Sequence, residues 1–195
     1  MTLTMRLALT IWLLLSAAAT YADEDVLVCF NYGCHSQAPA SFSAPRMESL
    51  RQTLAAAHTP SEERTLLSHV IGSMYAWAGE QTPIHADRGG NFADSGMYGT
   101  MDCIDHSTTT TRFLKLLEQH HALRFHRVAA ITRLGWIFQH FTATIAELPP
   151  AQALPTAALT IKTTDNAVQD SMPRFVVDSW YADNGQPARI LPLAD

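Results

Sequence analysis

The chain has 195 residues, a formal net charge of −5 and only two lysines, Lys115 and Lys162. Binding to a phosphate backbone draws on clustered Lys and Arg, so this composition argues against a nucleic-acid partner. Charges and prolines interrupt every apolar run beyond the N-terminus, so no later segment is expected to span a bilayer.

Residues 1–22 have the three-part layout of a secretory signal peptide. Residues 1–6 carry one positive charge, 7–15 are almost wholly apolar, and 16–22 are mostly small, which places cleavage after Ala22 or Ala19. The apolar run is far shorter than the roughly 20 residues of a spanning helix. Export to the periplasm or the medium is therefore expected, and residues 23–195 suit a single domain with one substantial core.

The first mature feature is Cys29-Phe30-Asn31-Tyr32-Gly33-Cys34, where Gly33 helps a tight turn. In an exported chain this spacing predicts a local disulfide between Cys29 and Cys34, the alternatives being two independent thiols or half of a metal site. Residues 37–45 read as an Ala-, Ser- and Pro-rich connector. A helix is predicted over 47–57 from the spacing of Met47, Leu50 and Leu54. The next begins at Thr59-Pro60-Ser61-Glu62-Glu63, with a capping hydroxyl, a first-turn proline and acids against the dipole, and runs to about Glu80.

A long loop, 81–99, delivers the chain to Gly99-Thr100-Met101-Asp102-Cys103-Ile104-Asp105-His106. A helix is predicted over about 102–121, with Asp102 as its cap and Asp105 completing a capping box. Thr108 to Thr111 are poor helix formers, so its first turns must lean on packing. His120 and His121 then fall near the helix C-terminus, where partial positive charge is favoured. The period changes after Leu123, and strands are predicted over 124–132, 137–147, 174–181 and 188–192. Asp183-Asn184-Gly185 is a hairpin signal between the last two, and a Pro- and Ala-rich insertion occupies about 148–172. Helices first and a mostly antiparallel sheet afterwards make an α+β arrangement.

Pairing Cys29 with Cys34 leaves Cys103 as the odd thiol, a liability in an oxidising compartment unless buried or used. Its place at a helix start favours the thiolate. A thiol nucleophile needs a base within reach and a third group to orient that base. His140 falls early in the strand 137–147 and shares a face with Phe138 and Thr142. Asp178 is an acid inside the otherwise apolar Phe175-Val176-Val177-Asp178-Ser179-Trp180-Tyr181. A buried carboxylate needs a partner, and a histidine on an adjacent strand would serve.

A cysteine opening a helix, a histidine in a strand and an aspartate in the following strand resemble the transglutaminase-like fold, within the papain-like group of cysteine enzymes. The resemblance covers about 97–193. It implies acyl transfer through a thioester to water or an amine, with Cys103 as nucleophile, His140 as base and acid, and Asp178 as the orienting group. The family commonly carries a tryptophan just after the cysteine, where this chain has Ile104. Exported bacterial members of the group are often peptidases or amidases, which implies a peptide, protein or cell-wall amide as substrate and no cofactor.

Four further residues are candidates for the site. His106, three positions from Cys103, is a rival base and otherwise lines the site. Asn91 and Tyr98 are candidate side-chain donors to an oxyanion hole, beside the backbone N–H of Cys103. Trp180, two residues beyond Asp178, would share its face and shield the triad from water. Asp102, Cys103, Asp105 and His106 crowd one turn, but no second Cys/His pair closes a tetrahedron, so no metal site is expected. The alternative function is a non-catalytic domain of the same fold that binds a protein or a wall peptide, with Cys103 an inert buried thiol.

Overall fold

The computed structural model describes residues 23–150 and 172–193. The expected signal peptide, 1–22, and nearly all of the insertion at 148–172 lie outside the described residues. Mixed helix and antiparallel sheet make the chain α+β. Two strands open it, β1 (Glu24–Phe30) and β2 (Ser36–Phe42), followed by α1 (Ala44–Ala55) and α2 (Pro60–Gly79). A short 3-10 turn, Pro83–Ala86, interrupts the long loop before α3 (Cys103–Gln119). The chain then builds β3 (His126–Leu134), β4 (His140–Glu147), β5 (Arg174–Asp178) and β6 (Arg189–Pro192).

β1 and β2 form an antiparallel hairpin in place of the expected connector, paired from Glu24 with Phe42 to Phe30 with Ser36. Pro39 is tolerated because a two-stranded ribbon has only edge strands. Val26, Val28, Phe30, Ala40 and Phe42 turn inward and pack with the helices. The remaining strands form a separate antiparallel sheet in the order β3-β4-β5-β6. One apolar cluster runs through both parts, from Val26 to Ala188, with Phe42, Met74, Phe113, Leu114, Leu117 and Ile145 fully buried within it.

Local chemistry sets the helix ends. Thr59 Oγ1 accepts the N–H of Glu62 and Glu62 accepts the N–H of His58, so α2 starts at the predicted place. His121 leaves α3 in the left-handed region, with φ 52°, and ends it. The threonines that weaken α3 intrinsically are tied across the core. Thr109 Oγ1 accepts the N–H of Cys29 in β1, and Thr110 Oγ1 meets the hydroxyls of Tyr75 and Ser179.

Strand bounds differ from the sequence pattern in two places. β4 begins at His140, because Gly135, at φ 74°, turns the chain and puts Trp136, Ile137 and Phe138 in the exposed loop between β3 and β4. β5 ends at Asp178, and Asp183-Asn184-Gly185 sits inside the longer connection 179–188, where the Gln186 N–H bonds the Asp183 carbonyl. The register also slips between Ala129 and Thr132, a bulge in β3 that the pattern did not mark.

One buried acid fastens α2 to the sheet. Glu63 is fully buried and accepts the N–H groups of Arg124 and Phe125 at 2.7 and 3.1 Å, and meets His126 Nδ1 at 2.8 Å. Truncating it leaves these donors unpaired in the core. Glu63→Ala is expected to cost about 3–5 kcal/mol in urea unfolding, the range for breaking a buried ionic contact. A loss below about 1 kcal/mol would show that water replaces the carboxylate at no penalty.

Candidate active site

Cys103 is the first residue of α3 and half-buried. Asp102 caps the helix. Its Oδ1 accepts the N–H groups of Ile104 and Asp105, while Asp105 Oδ2 accepts the Asp102 N–H at 3.1 Å, completing the predicted capping box. Both caps have a second duty. Asp102 Oδ2 accepts the N–H of Gly33 at 2.9 Å, and Asp105 Oδ1 accepts the N–H of Cys34 at 2.6 Å.

Those donors belong to the turn closed by the Cys29–Cys34 disulfide. Asn31, Tyr32, Gly33 and Cys34 all have φ between 58° and 66°, and within this left-handed turn the N–H groups of Gly33 and Cys34 are the ones that reach the two carboxylates. Asn31 completes the latch: its N–H bonds the Thr100 carbonyl at 2.8 Å, and its Oδ1 accepts the Gly99 N–H at 2.9 Å. Gly99, at φ 91°, passes so close to Pro83 that a Cβ would lie 2.3 Å from the Pro83 oxygen. Both ends of the run into Cys103 are therefore fixed.

The sheet supplies the histidine and the acid. Ala143 of β4 pairs with Val177 of β5, and continuing that register sets Thr142 opposite Asp178, with His140 two residues further on the same face. The side chains meet: His140 Nε2 lies 2.6 Å from Asp178 Oδ2, while Asp178 Oδ1 accepts the Trp180 N–H at 3.1 Å. With Nε2 engaged, Nδ1 is the ring nitrogen left for a second partner. Trp180 and Tyr181 rings pack on the imidazole at centroid distances of 5.4 and 5.6 Å.

Cys103 and His140 line one cavity of about 480 Å³. Asn91 and Trp180 line it too, together with Tyr32, Phe92, Asp102 and Tyr181 and the turn residues Ile137, Phe138 and Gln139. Asn91 Oδ1 accepts the Ala93 N–H and its carbonyl accepts the Tyr32 hydroxyl, so Asn91 holds the loop as well as facing the cavity. Tyr98 does not reach this cavity. It is exposed, packs edge-on against Phe30 and lines a separate depression with Pro83 and His85.

His106 is absent from the cavity wall as well. It is 3% exposed, with Nε2 2.9 Å from Asp87 Oδ2 and Nδ1 2.9 Å from Ser179 Oγ. Both ring nitrogens are spent, which leaves none to act as the rival base. Asp87 also accepts the Met101 N–H at 2.8 Å, and Ser179 meets Thr110 and Tyr75. The buried chain Asp87–His106–Ser179 thus joins the loop before Cys103 to the residue after Asp178.

The electrostatics of the thiol differ from the helix-start expectation. Burial pushes the Cys103 thiol up. The Phe141 N–H pulls it back, the Asp102 charge raises it again, its own backbone N–H lowers it, and Asp178 raises it. The helix end is not a bare positive pole, because Asp102 already occupies it. Asp105 shows the same conflict: burial pushes its carboxyl up to about 6, against the hydrogen bond from the Asp102 N–H, with the Asp102 charge adding to the rise.

The Cys29 and Cys34 sulfurs and an Asp105 oxygen are the one group among the described residues close enough to hold a metal, lying within 4.8 Å of one another. Both sulfurs are spent in the disulfide. Sequence reasoning missed Tyr32 and Phe92, in a turn and a loop where no periodic pattern assigns a face, and Phe138 and Tyr181, which it read as strand beyond the ends of β4 and β5. No protein-family model, curated protein or solved structure matches the chain.

The Asp102 charge gives a signed expectation. Asp102→Asn keeps a good N-cap but removes a negative neighbour, so the Cys103 thiol should ionise at lower pH than in the native protein. Thiolate absorbance near 240 nm, taken as a difference against Cys103→Ser, reads it. Superimposable titrations would mean that the sulfur does not feel this carboxylate.

Proposed function

We propose that the chain is an exported cysteine hydrolase, a peptidase or amidase with a transglutaminase-like core, acting through Cys103, His140 and Asp178. One observation carries this reading: His140, which meets Asp178 at 2.6 Å, stands on the wall of the cavity that holds the unpaired Cys103. The chain order supports it, with the cysteine opening α3, the histidine opening β4 and the aspartate ending the neighbouring strand β5. The Cys29–Cys34 disulfide supports an oxidising compartment, the periplasm or the medium. No helix among the described residues is long and apolar enough to cross a membrane.

In the proposed reaction, Cys103 Sγ attacks the carbonyl carbon of a peptide, protein or cell-wall amide as its proton passes to His140 Nδ1. Asp178, on Nε2, fixes the tautomer and steadies the imidazolium. The carbonyl oxygen gains charge and takes hydrogen bonds from backbone N–H groups. Cys103 N–H has no acceptor within its own helix, and the Phe141 N–H lowers the same thiol. The C–N bond breaks, His140 returns the proton to the departing amine, and a thioester remains. Water, deprotonated by His140, adds to the thioester; its C–S bond breaks and the thiol re-forms.

Because burial and two carboxylates hold the thiol in its neutral form, reactivity near neutral pH depends on His140 taking the proton. Iodoacetamide at about pH 7 is expected to alkylate Cys103 at least tenfold faster in the native protein than in His140→Ala, with Asp178→Asn in between. That is a conservative bound on the roughly 10²–10⁴-fold value of a placed base. Equal, slow alkylation in all three proteins would favour the alternative, a non-catalytic binding domain with an inert thiol.

A further inference from the structure

The cavity beside Cys103 is lined mostly by apolar and aromatic side chains. Trp180 forms a buried floor, Phe92 packs on it at a centroid distance of 4.6 Å, and Tyr181 adjoins it at 4.8 Å. Ile137 and Phe138 reach the same cavity from the β3–β4 turn. Phe92, Ile137 and Phe138 are nevertheless 81%, 81% and 91% exposed. Large apolar side chains left in water around a reactive cavity, each touching its lining, mark a surface that a ligand covers.

The position of the charges narrows the ligand. Among the described residues, the one acid on the cavity wall is Asp102, held in place by three backbone N–H groups, and no lysine or arginine lines the cavity. An anionic substituent would lose its water there and meet a negative charge. A neutral apolar one would cover Phe92, Ile137 and Phe138 instead.

Resting on the cysteine-hydrolase reading, we infer that the site takes substrates whose acyl group carries a bulky, uncharged apolar side chain, seated between Trp180, Phe92 and Phe138. The acyl group is the part that stays on Cys103 in the thioester, so it is the part that shares the cavity with this wall. The cavity's volume, about 480 Å³, lies in the range of small-ligand sites and suits a compact aromatic side chain.

The test uses p-nitrophenyl esters of acetate, 3-phenylpropanoate, octanoate and succinate with the full mature chain. Cys103 Sγ attacks the ester carbonyl, its proton goes to His140, and the C–O bond breaks. The p-nitrophenolate leaves with the bonding pair and is read by its absorbance. Each acylation rate is divided by that of N-acetylcysteine with the same ester, and Cys103→Ala supplies the background. The expected result is a phenylpropanoyl rate at least tenfold above acetyl, with succinyl no faster than acetyl. Phe138→Ser, at a nearly fully exposed turn position, and Phe92→Ser should each lower the phenylpropanoyl-to-acetyl ratio at least threefold. Octanoyl outrunning phenylpropanoyl would still support an apolar acyl site and assign its source to a lipid chain rather than an amino-acid side chain. Acylation of Cys103 with no acyl preference, or with succinyl preferred, overturns the inference and leaves the hydrolase reading standing. No acylation above the Cys103→Ala background with any ester overturns both.

Discussion

Everything at the candidate site depends on how the N-terminus of α3 is satisfied. A helix start leaves backbone N–H groups without partners, and here two carboxylates, Asp102 and Asp105, fill that need from within the chain. The same two acids accept N–H groups from Gly33 and Cys34, so the disulfide-closed turn and the helix start are one piece. Cys103 stands at the first helical position, directly after the capping Asp102. The arrangement also has an electrostatic consequence. Capping with an acid cancels much of the positive pole that would otherwise lower the thiol, and burial then pushes the thiol up. A nucleophile in this setting depends on an external base.

A second fastening works from the opposite side. His106, one turn into α3, is gripped by Asp87 and Ser179 in the core. Ser179 follows Asp178 directly, so the residue that meets His140 is held by a neighbour bonded to the helix that carries Cys103. Gly90 N–H to the Trp180 carbonyl, at 2.8 Å, and Gly89 N–H to Asp183 carry the loop onto the same segment. A Cβ at Gly89 would fall 2.6 Å from the Tyr181 backbone, so that approach requires glycine. The loop then lays Phe92 on Trp180. His106 thus ties α3 to the loop and to the segment after Asp178, though the sequence placed it on the cavity wall.

Much of this was legible in the residues because local rules decide it. The Cys29–Cys34 spacing, the Thr59-Pro60 start and the Asp102/Asp105 box each need only a few neighbouring residues, and each is present. The adjacency of His140 and Asp178 was legible for a different reason, since an acid in an apolar strand demands a partner. β2 was hidden because Ser36–Phe42 is rich in Ala, Ser and Pro, and only pairing with β1 makes it a strand. Ile137 and Phe138 continued an apolar pattern into what is a turn, because periodicity does not register the backbone reversal at Gly135. His106 and Tyr98 were misplaced for a shared reason. Whether a side chain beside a cysteine faces a cavity, the core or another surface is set by partners distant in sequence, such as Asp87 and Ser179 for His106 and Phe30 for Tyr98.

In the proposed mechanism the Cys103 thiol faces the free nitrogen of an imidazole held by Asp178. A crystal structure of the protein at about pH 7 reads this from the distance between Cys103 Sγ and His140 Nδ1. The expected distance is about 3–4 Å, within or near hydrogen-bond reach, with Nε2 still on Asp178. A separation beyond about 6 Å, or an imidazole flipped so that Nδ1 faces Asp178 and Nε2 faces away from the sulfur, would contradict it.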